Sequence, residues 1–144
     1  MRIGVGVINS YDIDGVINMG KYIGLRPRPE DVIITGRSYF DEADYTIKWL
    51  RDNGIQNSRV YMNPVKFETK TREGSGKYKA SKLNYLLDHG VDIGIHYEDD
   101  PVQANIIEQE CPRVKVVRIV HDLVEKENVW HGSIDDGTSS KPIG

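Results

Sequence analysis

Five short apolar runs constrain this chain more than anything else in it: residues 3–8 (IGVGVI), 31–35 (DVIIT), 59–62 (RVYM), 91–97 (VDIGIHY) and 114–120 (VKVVRIV). They are apolar at successive positions instead of alternating with polar ones, which suits strands buried on both faces and therefore a parallel sheet. Helical patterns separate most of them. Residues 40–53 carry Phe40, Ala43, Ile47 and Leu50 at helical spacing, with Ser38 as cap and Gly54 as stop. Residues 79–89 carry Leu83, Leu86 and Leu87, and residues 101–110 open with Pro101 in the first turn. Strand–helix alternation of this kind predicts an α/β fold, a Rossmann-like three-layer sandwich around a mainly parallel sheet of about five strands. Two segments are expected to be loops: residues 17–30, broken by prolines, and residues 63–77, polar and glycine-containing. Residues 125–144 lose all periodicity, so residues 1–124 form the expected domain and 125–144 a flexible C-terminal tail.

Composition narrows the function. A net charge of −3 provides no basic footprint for gripping a nucleic-acid backbone, although a nucleic-acid end can still be a substrate. The single cysteine, Cys111, excludes an internal disulfide and a cysteine-rich zinc site. It fits a reducing compartment, so the expected location is the cytoplasm. No apolar run is long enough to span a membrane, and the first residues lack the pattern of a signal peptide, so no membrane partner is expected.

The stretch NSYDIDGVIN, residues 9–18, raises the chemical question. If the chain leaves the first strand extended, Asp12 and Asp14 point the same way and converge on one place. Two converging carboxylates repel unless a cation lies between them, and magnesium with its preference for oxygen ligands is the usual answer. Gly15 permits a sharp turn or a close backbone approach. A solvated Asp-Gly turn explains the same residues on their own. A calcium loop does not, because the register that puts Gly15 at its sixth position ends on Lys21 where a glutamate is required. The second run ends in Thr35, Gly36 and Arg37, a hydroxyl, a flexible backbone and a guanidinium, all groups that bind phosphate. The fourth ends in Glu98, Asp99 and Asp100. In an open parallel sheet, residues beyond the carboxyl ends of neighbouring strands share one crevice.

Taken in order, YDIDGVI, VIITGR, the lysines of GKYKASKLNYLL and IHYEDDP resemble the motifs of the haloacid dehalogenase-like hydrolase superfamily, over about residues 3–120. The resemblance implies a small magnesium-dependent phosphatase. Asp12 would be the nucleophile that becomes an aspartyl phosphate, and Asp14 the general acid/base. Thr35, Gly36 and Arg37 would contact the phosphorylated substrate. Asp12, Asp14 and Asp99 would hold Mg2+. For the family's lysine, Lys79 and Lys82 both qualify; Lys79 lies on the apolar side of its helix, four residues before Leu83, and is the expected catalytic lysine. Asp100 is expected to cap the helix that begins at Pro101.

One departure stands out. The family's first strand runs directly into its first aspartate, whereas here Asn9, Ser10 and Tyr11 follow the apolar run. This keeps open a second reading, a phosphate- or metal-binding module with a regulatory or scaffolding role. The four histidines show no ligand spacing, and Cys111 reads as a packing residue. Neither gap between motifs is long enough for an inserted cap domain, so the site should be open. That favours a nucleotide or a nucleic-acid end as the phosphorylated partner.

Overall fold

The computed structural model describes residues 6–121. Five strands form one sheet: β1 (Ile8–Tyr11), β2 (Val32–Ser38), β3 (Val60–Asn63), β4 (Ile93–Glu98) and β5 (Lys115–Arg118). Their order is β3-β2-β1-β4-β5, and every pairing is parallel. Three helices complete the α/β sandwich: α1 (Tyr39–Asp52), α2 (Arg72–Asp88) and α3 (Pro101–Glu110). Among the described residues no helix is long and apolar enough to cross a membrane. The expected tail, residues 125–144, lies outside the described residues, as do residues 3–5 of the first expected strand.

Alternation along the strands divides the interior into two cores. Val32 and Ile34 face α2 and α3, packing with Ala80, Leu83, Leu86, Ile107, Cys111 and Val114. Ile33 faces the other way, onto Leu50 of α1 and onto Ile13, Val16 and Ile17 of the segment after β1. That segment, expected to be a loop, has no helix; its apolar side chains instead extend the layer formed by α1. Cys111 is fully buried in the first core, as its packing role requires.

Three boundaries differ from the sequence expectation, each for a physical reason. Among the described residues β1 covers Ile8–Tyr11, running three residues past the expected end at Ile8. Its polar residues are tolerated because each finds a buried partner: Asn9 Oδ1 accepts from Ile95 N (3.2 Å), Ser10 Oγ lies 2.7 Å from His96 Nδ1, and Tyr11 Oη donates to Asp31 (3.2 Å). The strand thus runs directly into Asp12. β2 continues through Thr35, Gly36 and Arg37 to Ser38, with a register irregularity between Thr35 and Ser38. α2 begins at Arg72, where Thr71 caps it by accepting from Gly74 N (2.9 Å); the residues read as loop include a 3-10 turn at Phe67–Thr69 and the first turns of α2. Gly76 is compatible with that helix because α3 presses against it. A Cβ there would stand 3.2 Å from Gln103 Cα and 3.1 Å from Ile106 Cδ1.

α1 also corrects the expected apolar stripe. Its buried face is Glu42, Thr46 and Leu50, while Phe40 is exposed. Ser38 caps the helix as expected, accepting from Asp41 N, and Glu42 Oε2 reaches back to the Ser38 N–H (2.8 Å). The same carboxylate oxygen takes the buried Lys70 Nζ at 3.0 Å. Polar residues replace apolar ones on this face because its first half stands over the carboxyl end of the sheet.

At the opposite end of the sheet, Asp31 ties β1 to β2. Its carboxylate is 1 % exposed and accepts from Asn9 N (3.0 Å), Tyr11 Oη (3.2 Å) and Arg28 N (2.9 Å). Burial alone would raise its pKa, but the hydrogen bonds from Arg28 and Asn9 outweigh burial and hold it below the ordinary aspartate range. Its contribution is therefore complete above the ordinary aspartate pKa and is lost as pH falls through the lowered folded-state value. Asp31→Ala leaves buried donors without an acceptor and should cost on the order of 2–3 kcal/mol. The measurement is urea unfolding at neutral pH: the midpoint should fall with an unchanged slope.

Candidate functional site at the carboxyl edge of the sheet

In this strand order β1 is central. The chain passes from β1 outward to β2 and β3, then crosses through α2 to β4 on the other side of β1. The crevice beyond the carboxyl ends of β1 and β4 is the topological switch point, where open α/β sheets bind ligands. Asp12 follows β1 there, and its N–H donates to Tyr97 O (3.1 Å) as the last link between the two strands. Glu98 ends β4, and Asp99 follows it. Ligand oxygens of Asp12, Glu98 and Asp99 all lie within 4.8 Å of one another.

Lys79 enters this carboxylate group from α2. It is 1 % exposed, with Nζ 2.8 Å from Glu98 Oε1 and 3.2 Å from Asp12 Oδ1. Burial pushes its pKa down, but Asp12 and Glu98 more than compensate and raise it above the ordinary lysine value, so it stays charged. Lys79 lies in the body of α2 instead of at its start. Lys82 faces away, over the rings of Tyr61 (4.8 Å) and Tyr85 (5.0 Å). Asp12 is pushed up to about 7 by burial and then by Glu98, with Lys79 acting in the opposite direction. Lys79 faces three carboxylates, and the oxygens of Asp12, Glu98 and Asp99 could together hold a metal ion.

Asp14 goes elsewhere. The chain turns immediately after Asp12, with Ile17 N and Asn18 N both bonding to Ile13 O, so the two aspartates do not leave β1 in extended conformation. Both Asp14 oxygens accept from Arg37, Oδ2 from Nε at 2.9 Å and Oδ1 from Nη2 at 2.7 Å. Two sequence expectations are corrected by this geometry. The Asp14 carboxylate faces a guanidinium and does not join the Asp12, Glu98 and Asp99 oxygens as a metal ligand. Arg37, 3 % exposed and also donating to Thr46 Oγ1 (3.0 Å), is committed to Asp14 instead of being presented to a substrate. Thr35 sits at the β2 irregularity with Gly36; its Oγ1 accepts from Arg37 N (3.1 Å), and its O–H has no acceptor among the described residues.

Several residues were not legible as site residues. His96 is fully buried, with Nε2 3.1 Å from Glu98 Oε1 and Nδ1 2.7 Å from Ser10 Oγ. Burial and the neighbouring Lys79 hold it near about 3, so the ring is neutral. The available signal was its period-two spacing from Glu98 on one strand, which places both on one face. His121, just past β5, has Nε2 2.9 Å from Asp99 Oδ2; nothing in the sequence pointed to that pairing. Asp100 caps α3 through Val102 N (2.9 Å), as expected, and is also gripped by Arg72 Nε at 3.0 Å. Comparison of the chain with protein-family models and with curated proteins returned no match.

Gly15 makes the two halves of the site fit. Its φ of +85° is left-handed, and a Cβ would overlap the Asp99 carboxylate and stand 2.8 Å from His121 Nε2. Gly15→Ala should therefore destabilise by about 1–3 kcal/mol and displace Asp99. Thermal unfolding reads the first effect. A changed His121 ring resonance, from loss of its Asp99 bond, reads the second.

Proposed function

We propose that this protein is a phosphomonoester hydrolase of the haloacid dehalogenase-like type, working through an aspartyl phosphate on Asp12. The observation that carries the reading is the placement of Lys79 between Asp12 and Glu98 at the switch point, beside the Asp99 carboxylate. Carboxylate oxygens at this spacing form a hard donor set that suits Mg2+, and Asp12 and Asp99 would hold it. Bound there, the ion would withdraw charge from the phosphoryl oxygens.

The chain's own groups account for the rest. Lys79 neutralises Asp12 and the phosphoryl group together, and Thr35 donates its O–H to a phosphoryl oxygen. An Asp12 oxygen attacks phosphorus, the ester P–O bond breaks, and the alcohol oxygen leaves with the bonding pair. Water then attacks the same phosphorus, giving its proton to Asp14 once the Arg37 ion pair opens, and the bond to Asp12 breaks to release phosphate. Asp14 is an acceptor on both oxygens in its bond to Arg37, so it carries no proton for a leaving group until that ion pair opens.

The same clamp favours one alternative, a phosphate- or metal-binding module without efficient turnover. Mg2+-dependent phosphate binding with no hydrolysis of any ester would select it. On the substrate side, the connections are used up by core elements, and no inserted domain occurs among the described residues. Tyr22, Tyr39 and Phe40, in segments that follow β1 and β2, are well exposed. The absence of an inserted domain among the described residues favours a nucleotide or a nucleic-acid end over a free sugar phosphate, and a reducing, cytoplasmic setting fits the free Cys111.

Hydrolysis of p-nitrophenyl phosphate should require Mg2+ and vanish in Asp12→Asn; retained turnover in pure Asp12→Asn protein refutes the nucleophile. Lys79→Ala should lower kcat by about a hundredfold or more, with Lys82→Ala near wild type. Because Asp14 is clamped, aryl phosphates should exceed alkyl phosphates in kcat/KM by about a hundredfold or more. A flat dependence on leaving group would show that Asp14 protonates it freely.

A further inference from the structure

Glu98 is a flexible side chain in a position that tolerates no flexibility. Its Oε1 accepts from Lys79 Nζ at 2.8 Å and faces His96 Nε2 at 3.1 Å, and its Oε2 accepts from Asp100 N at 3.3 Å. We propose that His96, backed by Ser10, is a positioning residue that fixes Glu98 and thereby aims Lys79 at Asp12. Its catalytic consequence rests on the phosphatase reading; the network itself does not.

The hydrogen-bond directions allow one arrangement. Because Nε2 faces a carboxylate oxygen, Nε2 carries the ring proton and donates it. Nδ1 then offers only a lone pair, which Ser10 Oγ satisfies at 2.7 Å by donating its hydroxyl proton. Ser10 is held opposite His96 by the β1–β4 register, so the far end of the chain is fixed in the sheet itself. All four residues, Ser10, His96, Glu98 and Lys79, are at most 1 % exposed. Water therefore offers no substitute partner, and breaking any link strands a buried polar group at about 1–3 kcal/mol.

The geometry gives the chain a purpose. The Lys79–Glu98 bond is shorter than the Lys79–Asp12 contact, 2.8 against 3.2 Å. Lys79 can turn from Asp12 toward a phosphoryl oxygen while Glu98 still anchors it. Without His96, Glu98 gains freedom to rotate toward the Asp12 and Asp99 oxygens, which it already neighbours within 4.8 Å. It would then carry Lys79 with it and crowd the cation's place. His96 holds Glu98 with the lysine and away from that place.

Three variants test this: His96→Leu, which removes both bonds; His96→Gln, whose amide can donate to Glu98 and accept from Ser10; and Ser10→Ala. With p-nitrophenyl phosphate and saturating Mg2+, His96→Leu should lose about tenfold to a hundredfold in kcat with KM within about threefold. His96→Gln should recover most of that loss, and Ser10→Ala should fall between. The 15N-detected ammonium signal of Lys79 should be protected from exchange in the wild type and in His96→Gln, and lost in His96→Leu. A wild-type kcat in His96→Leu, a His96→Gln variant as impaired as His96→Leu, or a Lys79 signal retained in His96→Leu would each overturn the assignment. Should His96→Leu fail to fold, the imidazole 15N spectrum of the wild type decides: a protonated Nε2 with a bare Nδ1 supports the chain of bonds, and an Nδ1–H form overturns it. If the wild type hydrolyses no phosphate ester, the phosphatase reading fails alone, while the lysine and imidazole spectra still decide the network.

Discussion

A charged lysine sealed among carboxylates organises the carboxyl edge of this protein. Lys79, 1 % exposed, would be intolerable in a sheet–helix interior without Asp12 and Glu98, and those carboxylates would be equally costly without it. The pairing explains why α2 must present a particular turn to β1 and β4. The apolar packing of Tyr78, Ala80 and Leu83 flanks Lys79 on that helix. Burial energy holds the lower half of the sandwich; mutual charge compensation holds the upper half.

A second ion-pair system stands beside the first and follows the same logic. Asp14 with Arg37, and Glu42 with Lys70, are buried at the carboxyl end of β2 and the start of α1. Thr46, which an apolar helix face would fill with a larger aliphatic residue, is there to accept from Arg37. The carboxyl edge is thus a continuous polar layer, with every side chain held by a neighbour, on top of an ordinary hydrophobic sandwich. Preorganisation of this kind is what electrostatic stabilisation of a transition state requires, because dipoles and charges already in place need not reorganise during reaction.

The layout of the fold was legible because it depends on local pattern. Strand-like runs, the caps at Ser38 and Asp100, Pro101 in a first turn and the glycine stop after α1 all act within a few residues of themselves. The start of α2 was not, because Gly74 and Gly76 weaken the local signal and the compensating contact comes from α3. Asn9, Ser10 and Tyr11 looked unlike a buried strand for a similar reason: their partners lie 86, 86 and 20 residues away. Asp12, Lys79 and Asp99, singled out in the sequence by motif order and helix spacing, are brought together by the structure. The corrected assignments of Asp14 and Arg37 depend on a turn at Ile13 that swings one aspartate toward β2, and the part played by His96 depends on which strand lies next to which. Pairing across the sheet, the one thing periodicity does not encode, separates the residues that were found from those that were not.

The close contact at Gly76 has a mechanical consequence. With backbone of α3 lying where a side chain of α2 would otherwise stand, and with Arg72 gripping Asp100 at the head of α3, the two helices cannot slide or separate without steric overlap or loss of a charge-assisted bond. They form one stiff body that carries the lysine on one arm and the acidic turn, residues 98–100, on the other. Asp12 is tied to the same body, because β1 pairs with β4 and Asp12 N donates to Tyr97 O one residue before Glu98. The spacing of the lysine, the acidic turn and Asp12 is thus set by helix packing and strand pairing together, before any side chain of the site makes a contact.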